Sequence, residues 1–370
     1  MSLSPLLEPI TFSDLPGWQE DKGISAALDA FSRSARQSRI KPYRSGALGI
    51  ELDAFREAYD RASEISGPVP DSDARAFFEQ FFVPYRVRPE EGAKPLVTGY
   101  YEPEAEASLT RTDVFRYPFY RRPDDLIELE DPSSIPGWDP DFRFARQAPE
   151  GLTQYFDRGE IDRGALDGQG LELCWLEDRV DAFFIHVQGA ARLRLPDGSA
   201  MRVTYAAKSG HPFTGIGRLL ANMGEIPLPR VTMQSIRKWL AAHPERVSEI
   251  LWKNRSYIFF RETELGDPEL GPIAAAKVQL TAGRSIAVDR LLHTFGTPFF
   301  IDAPDLAQVV GEPFRRLMIA QDTGSAILGA ARADLFMGTG HAAGELAGVI
   351  KHGATFHVLV PRKLQGCSAS

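Results

Sequence analysis

Apolar residues in the first part of the chain recur at helical spacing. Ile24, Leu28 and Phe31 fall at i, i+4 and i+7, and Phe55, Tyr59 and Ala62 form a second stripe. Asp71 or Ser72 is placed to cap a third helix carrying Ala74, Phe77, Phe78 and Phe81, set off from the second by Gly67-Pro68-Val69-Pro70. The aromatic residues on these stripes read as core. From Pro95 the period changes. Leu96-Val97-Thr98-Gly99-Tyr100-Tyr101 reads as a strand entering a turn at Glu102-Pro103, and Ala182–Val187 as another strand. Ala191–Leu195 and Ala200–Thr204 flank Pro196-Asp197-Gly198-Ser199, a hairpin signal. The stretch 121–170, rich in Asp, Pro and Gly, reads as mostly loop.

Helical spacing returns at Ile216, Leu219 and Leu220, again at Ile236, Trp239 and Leu240, and after Pro244 with Val247, Ile250 and Leu251. Beyond Tyr257–Phe260 the chain is strand-dominated. Val278–Leu280, Phe299–Ile301, Leu317–Ala320, Leu335–Met337 and Phe356–Val360 are short and bounded by Gly or Pro. Short, even strands without long intervening helices favour a barrel over a doubly wound sheet.

Composition narrows this picture only a little. The 370 residues suggest about two domains, and 43% hydrophobic with 25% charged residues describe an ordinary globular chain. A net charge of −8, with no basic run, argues against a nucleic-acid partner. The two cysteines, Cys174 in an apolar run and Cys367 in the tail, give no support for a disulfide. No apolar run approaches the ~20 residues of a membrane span, and Met1-Ser2-Leu3-Ser4-Pro5 lacks the features of a signal peptide, so the compartment stays open. HExxH, CxxC, GxSxG and GxxxxGK[ST] are absent and the seven histidines are scattered, so neither metal nor cofactor is expected. Gly338-Thr339-Gly340 with Gly344 mimics a dinucleotide loop, but too little chain follows to complete that fold, and turn-forming glycines are the better reading.

Chemistry concentrates in Ala320–Gly340, where two aspartates sit among small and apolar residues. Asp322 ends a strand before Thr323-Gly324 and suits an Asx turn. Asp334 adjoins the apolar Leu335-Phe336-Met337. A carboxyl in such company is desolvated and keeps its proton, as a general acid on a glycosidic oxygen requires. A buried carboxylate satisfied by backbone amides is the competing fate, and the residues alone leave both open.

Gln321-Asp322-Thr323-Gly324-Ser325-Ala326-Ile327, then Asp334 and Gly338-Thr339-Gly340, resemble the C-terminal signature of the membrane-bound lytic murein transglycosylase A family. Further blocks match in the same order: Thr98–Pro103, Tyr117–Arg121, His186–Ala190, Tyr205–His211, Met233–Arg237, Asn254–Phe260 and Val288-Asp289-Arg290. The resemblance runs from about Pro95 to Pro361, and the shared order of the blocks makes it specific.

It implies a β-rich α+β chain. A helical N-terminal region and a double-psi β-barrel occupy 1–105 plus 259–370, a second β-rich, substrate-binding domain is inserted at 106–258, and a substrate groove lies between them. It implies cleavage of the β-1,4 bond between N-acetylmuramic acid and N-acetylglucosamine in peptidoglycan, with Asp334 as catalytic acid and Asp322 in support. Asp289 is a second supporting candidate. Thr98, Tyr100, Tyr101, Gln188, Lys208, Ser209 and Ser285 are candidates for substrate contact, the last on a turn with Asp289. A periplasmic or outer-membrane-associated monomer is expected, although this chain lacks a lipid-anchor cysteine near its start. A hydrolytic glycosidase using Asp322 or Asp289 as second carboxylate, and a non-catalytic glycan-binding protein, are the alternatives.

Overall fold

A computed structural model describes residues 3–135, 138 and 142–367. The chain is a β-rich α+β protein whose contacts divide it into two compact units, Met1–Tyr101 with Gly266–Ser370, and Glu102–Leu265. The sequence reading set the joins a few residues away, at 105/106 and 258/259. No helix among the described residues is long and apolar enough to cross a membrane.

The first unit is built on a nine-stranded sheet. Its strands run in the order Leu7–Pro9, Phe82–Val87, Thr355–Pro361, Pro298–Ala303, Phe314–Asp322, Ser285–Val288, Arg332–Thr339, Leu96–Glu102 and Lys351–His352. Ser285–Val288 runs parallel to Phe314–Asp322 and antiparallel to Arg332–Thr339. The helices Ile24–Ile40, Arg56–Glu64 and Asp71–Phe81, with the short turn Leu52–Phe55 that leads into the second, bury Phe31, Phe55, Tyr59 and Phe78 in the same core as the strands. Asp71, expected to cap its own helix, instead accepts the backbone N–H of Gly23 (2.7 Å) and of Ser25 (3.0 Å) at the start of the first helix, while Pro70 takes the cap position. A buried ion pair, Asp21 with Arg284 at 2.8 Å, ties the segment before that helix to the strand Ser285–Val288.

The second unit holds a six-stranded sheet in the order Ile258–Thr263, Ala200–Lys208, Ala190–Arg194, Glu104–Ser108, Glu172–Leu176 and Tyr117–Tyr120. Its edge strands approach at a single bridge, Arg121 to Phe260. A three-stranded sheet, Leu126–Glu128, Phe144–Ala148 and Gly151–Thr153, and the helix Arg158–Asp162 occupy the stretch expected to be mostly loop. The supposed strand Ala182–Val187 is a helix, Arg179–Gln188, started by Asp178 accepting the Asp181 N–H and ended by Gly189 at φ 79°. A short, continuously buried apolar run carries no period, so the flanking caps decide its form. Val278–Leu280 is no strand either: only an isolated bridge joins Gln279 to Ile273. Cys174 is a buried thiol pushed up to about 12 by burial; the side chain of Cys367 lies outside the described residues.

Candidate active site

Alternation along two neighbouring strands of the first unit builds the site. Residues two apart on a strand share a face, which puts Thr98 and Tyr100 together on Leu96–Glu102, and Arg332, Asp334 and Phe336 together on Arg332–Thr339. The Tyr100 and Phe336 rings meet at 5.3 Å. The opposite face of Leu96–Glu102 serves packing. A Cβ on Gly99 would stand 2.9 Å from Ala347 Cα, and Tyr101, 7% exposed, presses its ring onto Gly344 in the helix His341–Ala347. Tyr101, expected as a sugar platform, is therefore a core residue.

Strand register brings in the second aspartate. Ala287 pairs with Asp334 on one side and, after a register shift, with Asp322 on the other. Paired residues point to the same face, so the two acids stand two strands apart, at ~10 Å between Cα atoms, with Ala287 on the intervening strand. Behind them, Gln321 points the other way. It donates to Ala30 O and Ser34 Oγ of the first helix (both 2.8 Å) and accepts from the Ser285 hydroxyl at 2.6 Å. Ser285 is on a strand, not a turn, and is fully buried. Its hydroxyl locks the residue before Asp322 and is closed to substrate, which corrects the expectation for it.

Asp334 is half-buried. Its Oδ1 accepts the Thr98 hydroxyl at 2.6 Å. The Thr98 oxygen in turn accepts from Arg332 Nη2 at 2.8 Å, which steers its hydrogen toward the carboxylate. Desolvation dominates the carboxyl's energetics and raises its pKa to about 6. The Thr98 bond and the Arg332 charge oppose that rise, and the negative charge of Asp322 adds to it. Asp322 is more tightly held. Its Oδ1 accepts the N–H of Thr323 (2.9 Å) and Ala275 (3.2 Å), and its Oδ2 accepts the Tyr100 hydroxyl (3.0 Å). Burial raises its pKa too, against those bonds and the Lys277 charge. Lys277, at φ 61°, is the one non-glycine residue with positive φ among those described. Conformations of this kind cluster at functional sites.

Removing the Thr98 hydroxyl tests the hydrogen-bond chain. Thr98→Val deletes a donor that favours the ionised carboxylate, so the Asp334 pKa should climb by up to about one unit. Carbon-13 NMR titration of the aspartate carboxyls checks this, and a pKa unchanged or lowered would show that the chain does not reach the acid.

The other candidates lie elsewhere. Asp289, 8% exposed, accepts the N–H of Leu291 and of Gly329 (both 3.0 Å) and pins two loops. Gln188, Lys208 and Ser209 belong to the second unit. Gln188 ends the helix Arg179–Gln188 and Lys208 ends a strand, both partly exposed. Ser209 is fully buried, its hydroxyl accepting the Tyr257 N–H at 3.1 Å, so it too is structural rather than substrate-facing. Sequence reasoning passed over Arg332, whose position two residues before Asp334 was the available signal. No three His, Cys, Asp or Glu gather as metal ligands among the described residues.

Comparison with known proteins gives this geometry a context. Residues 96–261 match the MltA specific insert domain, and residues 284–360 match the 3D domain. The crystal structure of a membrane-bound lytic murein transglycosylase from Agrobacterium tumefaciens is 48% identical, with 98% of this chain and 99% of that one covered at a TM-score of 0.90. MltA from Neisseria gonorrhoeae is 30% identical over 96% of this chain and 91% of its own, at 0.76. The membrane-bound lytic murein transglycosylase A of Escherichia coli K12 is 34% identical over 260 residues, 69% of this chain, and the match spans 62% of that protein's length. With 48% identity over nearly the whole of both chains in the first of these, the chain belongs to the membrane-bound lytic murein transglycosylase A family.

Proposed function

We propose that this protein is a peptidoglycan lytic transglycosylase in which Asp334 serves first as acid and then as base. The observation that carries the reading is Asp334 itself: half-buried, oriented by Thr98, and holding its proton to about pH 6. Protonated Asp334 gives its proton to the oxygen bridging N-acetylmuramic acid and N-acetylglucosamine. As that bond breaks, positive charge develops at the muramic C1. The ionised carboxylate then takes the proton of the same sugar's 6-hydroxyl, and the 6-oxygen closes on C1 as a 1,6-anhydro ring. The nucleophile belongs to the substrate, so proximity replaces a positioned water. One carboxylate suffices, with Asp322, held by three donors, as its acidic neighbour. Tyr100 is the aromatic face that the first unit offers to sugar, and Gln188 and Lys208 are polar groups on the second unit suited to glycan. Asp289 supports by fixing loops. The relatives' names, which call them membrane-bound, support an outer-membrane or periplasmic setting. We read the first unit's sheet, with its parallel pair between Ser285–Val288 and Phe314–Asp322, as the double-psi β-barrel type.

Product analysis tests the reaction. Mass spectrometry of digested cell wall should show ends lighter by one water than hydrolytic products. Reducing ends would instead favour a hydrolytic glycosidase, and tight binding without soluble product a glycan-binding protein. Acid dependence is a second test. Activity needs the protonated form, so the rate should be full at pH 5 and fall as pH rises through about 6, reaching about a hundredfold less at pH 8. A flat profile of solubilised cell wall between those limits would be incompatible with this role.

A further inference from the structure

The second unit contains a cavity of about 730 Å³ that the proposed reaction does not use. Five arginines line it, Arg111, Arg116, Arg158, Arg163 and Arg179, against three acids, Asp162, Asp167 and Glu172, in a protein whose net charge is −8. Such a reversal of sign inside a concave wall needs an explanation.

Arg158 is its centre. The residue is 4% exposed and forms no ion pair with any described carboxylate. Its hydrogen bonds go to neutral acceptors: Nε to Asn254 O at 3.1 Å, and Nη2 to Ser256 O at 2.7 Å and to His186 Nδ1 at 3.1 Å. Since a guanidinium can only donate, His186 accepts at Nδ1 and carries its proton on Nε2. Burial, and then the Arg158 charge, hold that imidazole neutral. The Phe183 and Tyr257 rings lie 4.9 and 5.3 Å from the guanidinium carbon. Nη1 makes no hydrogen bond among the described residues. The negative charge that acts on it most, Asp162, is itself paired with Arg179 at 2.8 Å; a buried cation whose nearby carboxylate is shared is costly, and this one borders open space that can hold an anion.

The remaining lining says what kind of anion. Arg111 and Arg116 at the exposed rim have no side-chain hydrogen bond among the described residues, which suits them to carboxylate recognition. The Glu172 carboxylate likewise makes none and is half-buried, a position for a cationic group. Trp175 and Trp252 add aromatic surface, Trp252 with Arg163 and Arg179 against its ring at 4.8 and 5.3 Å. Phosphate would meet the Asp167 and Glu172 carboxylates as repulsion, Asp162 being paired with Arg179. A short peptide carrying both carboxylates and an amine matches both signs, and the volume falls in the range of small-ligand sites.

We propose that this cavity binds the acidic stem peptide of peptidoglycan, with Arg158 and Arg116 taking its carboxylates and Glu172 its amine. The identity of the peptide rests on the proposed substrate; the cavity's preference for a zwitterionic peptide rests on its own residues.

The test is titration of the full chain with the synthetic tetrapeptide L-alanyl-D-glutamyl-meso-diaminopimelyl-D-alanine, followed through the tryptophan indole N–H resonances. Trp175 and Trp252 should shift. Trp18 and Trp239, which do not line the cavity, should not. Arg116→Ala should weaken binding at least tenfold, and amidating the peptide's carboxylates should abolish it. The proposal is overturned by an absence of shifts at millimolar peptide, by shifts at the wrong indoles, by an unaffected Arg116→Ala variant, or by inorganic phosphate binding equally well. Cleavage of peptide-free glycan is assayed alongside. If it persists while the peptide fails to bind, this inference falls and the transglycosylase reading stands. If the peptide binds and glycan is not cleaved, the cavity keeps its ligand and the transglycosylase reading falls.

Discussion

Asp334→Asn should lower glycan cleavage by ~10³-fold or more, the scale of a lost general acid–base group, in a protein that remains folded. An amide oxygen can still accept the Thr98 hydroxyl that now bonds Oδ1 at 2.6 Å, and asparagine matches the uncharged state that the site favours below about pH 6. The same substitution has a stability consequence of definite sign. An unfolded aspartate releases its proton near 3.9, whereas the folded one holds it to about 6. Between those values the folded state binds more protons. The stability tied to the proton is complete below pH 4 and is lost as pH rises through 6. Asparagine does not titrate, so the variant should be the more stable protein at pH 7.5, by on the order of 2 kcal/mol, with the difference vanishing near pH 4. Thermal melts at both pH values, beside mass spectrometry of released products, check the two halves. A fully active variant would remove Asp334 from the mechanism. A variant less stable than the parent at pH 7.5 would show that the carboxylate is satisfied rather than desolvated.

The sequence exposed Asp334 more readily than its surroundings. An acid beside Leu335-Phe336-Met337 is conspicuous, but the strand that carries it begins at Arg332, outside the apolar run that marks it in the sequence, so the alternation that sets Arg332 beside Asp334 went unread. That this strand neighbours Leu96–Glu102 depends on the order of nine strands, which no local pattern encodes. The same holds for the register that sets Asp322 and Asp334 on either side of Ala287. Ser285 was misplaced because a serine amid small residues suits a turn as well as a buried strand, and only Gln321, 36 residues on, supplies the partner that lets its hydroxyl be buried. Asp71 misled for a similar reason: it has the chemistry of a cap, and the helix it serves begins 47 residues earlier. Local periodicity specified the stripes and strands that pack; long-range pairings of polar groups, which shape the site, became visible only in three dimensions.

Arg202→Met should destabilise the second unit by about 3–5 kcal/mol, the cost of leaving a buried partner charge uncompensated. Arg202 and Glu102 are both wholly buried, with Nη2 donating to Oε2 at 3.0 Å and Nε standing 2.7 Å from Oε1. The pair reaches across the strand Ala190–Arg194, which lies between Ala200–Lys208 and Glu104–Ser108 in the sheet. Arg202 also donates to the carbonyl of Leu265. Glu102 and Leu265 are the first and last residues of the unit, so one guanidinium holds its entry and exit together. Electrostatics alone does not require an ion pair there, since a well-packed apolar pair of similar volume is often as stable. The double variant Glu102→Met with Arg202→Met should therefore recover most of the loss. Urea unfolding followed by tryptophan fluorescence suits the measurement, because only Trp18 of the five tryptophans lies outside this unit. A double variant as unstable as Arg202→Met alone would mean that the Leu265 bond, rather than the charge of Glu102, is what the arginine supplies.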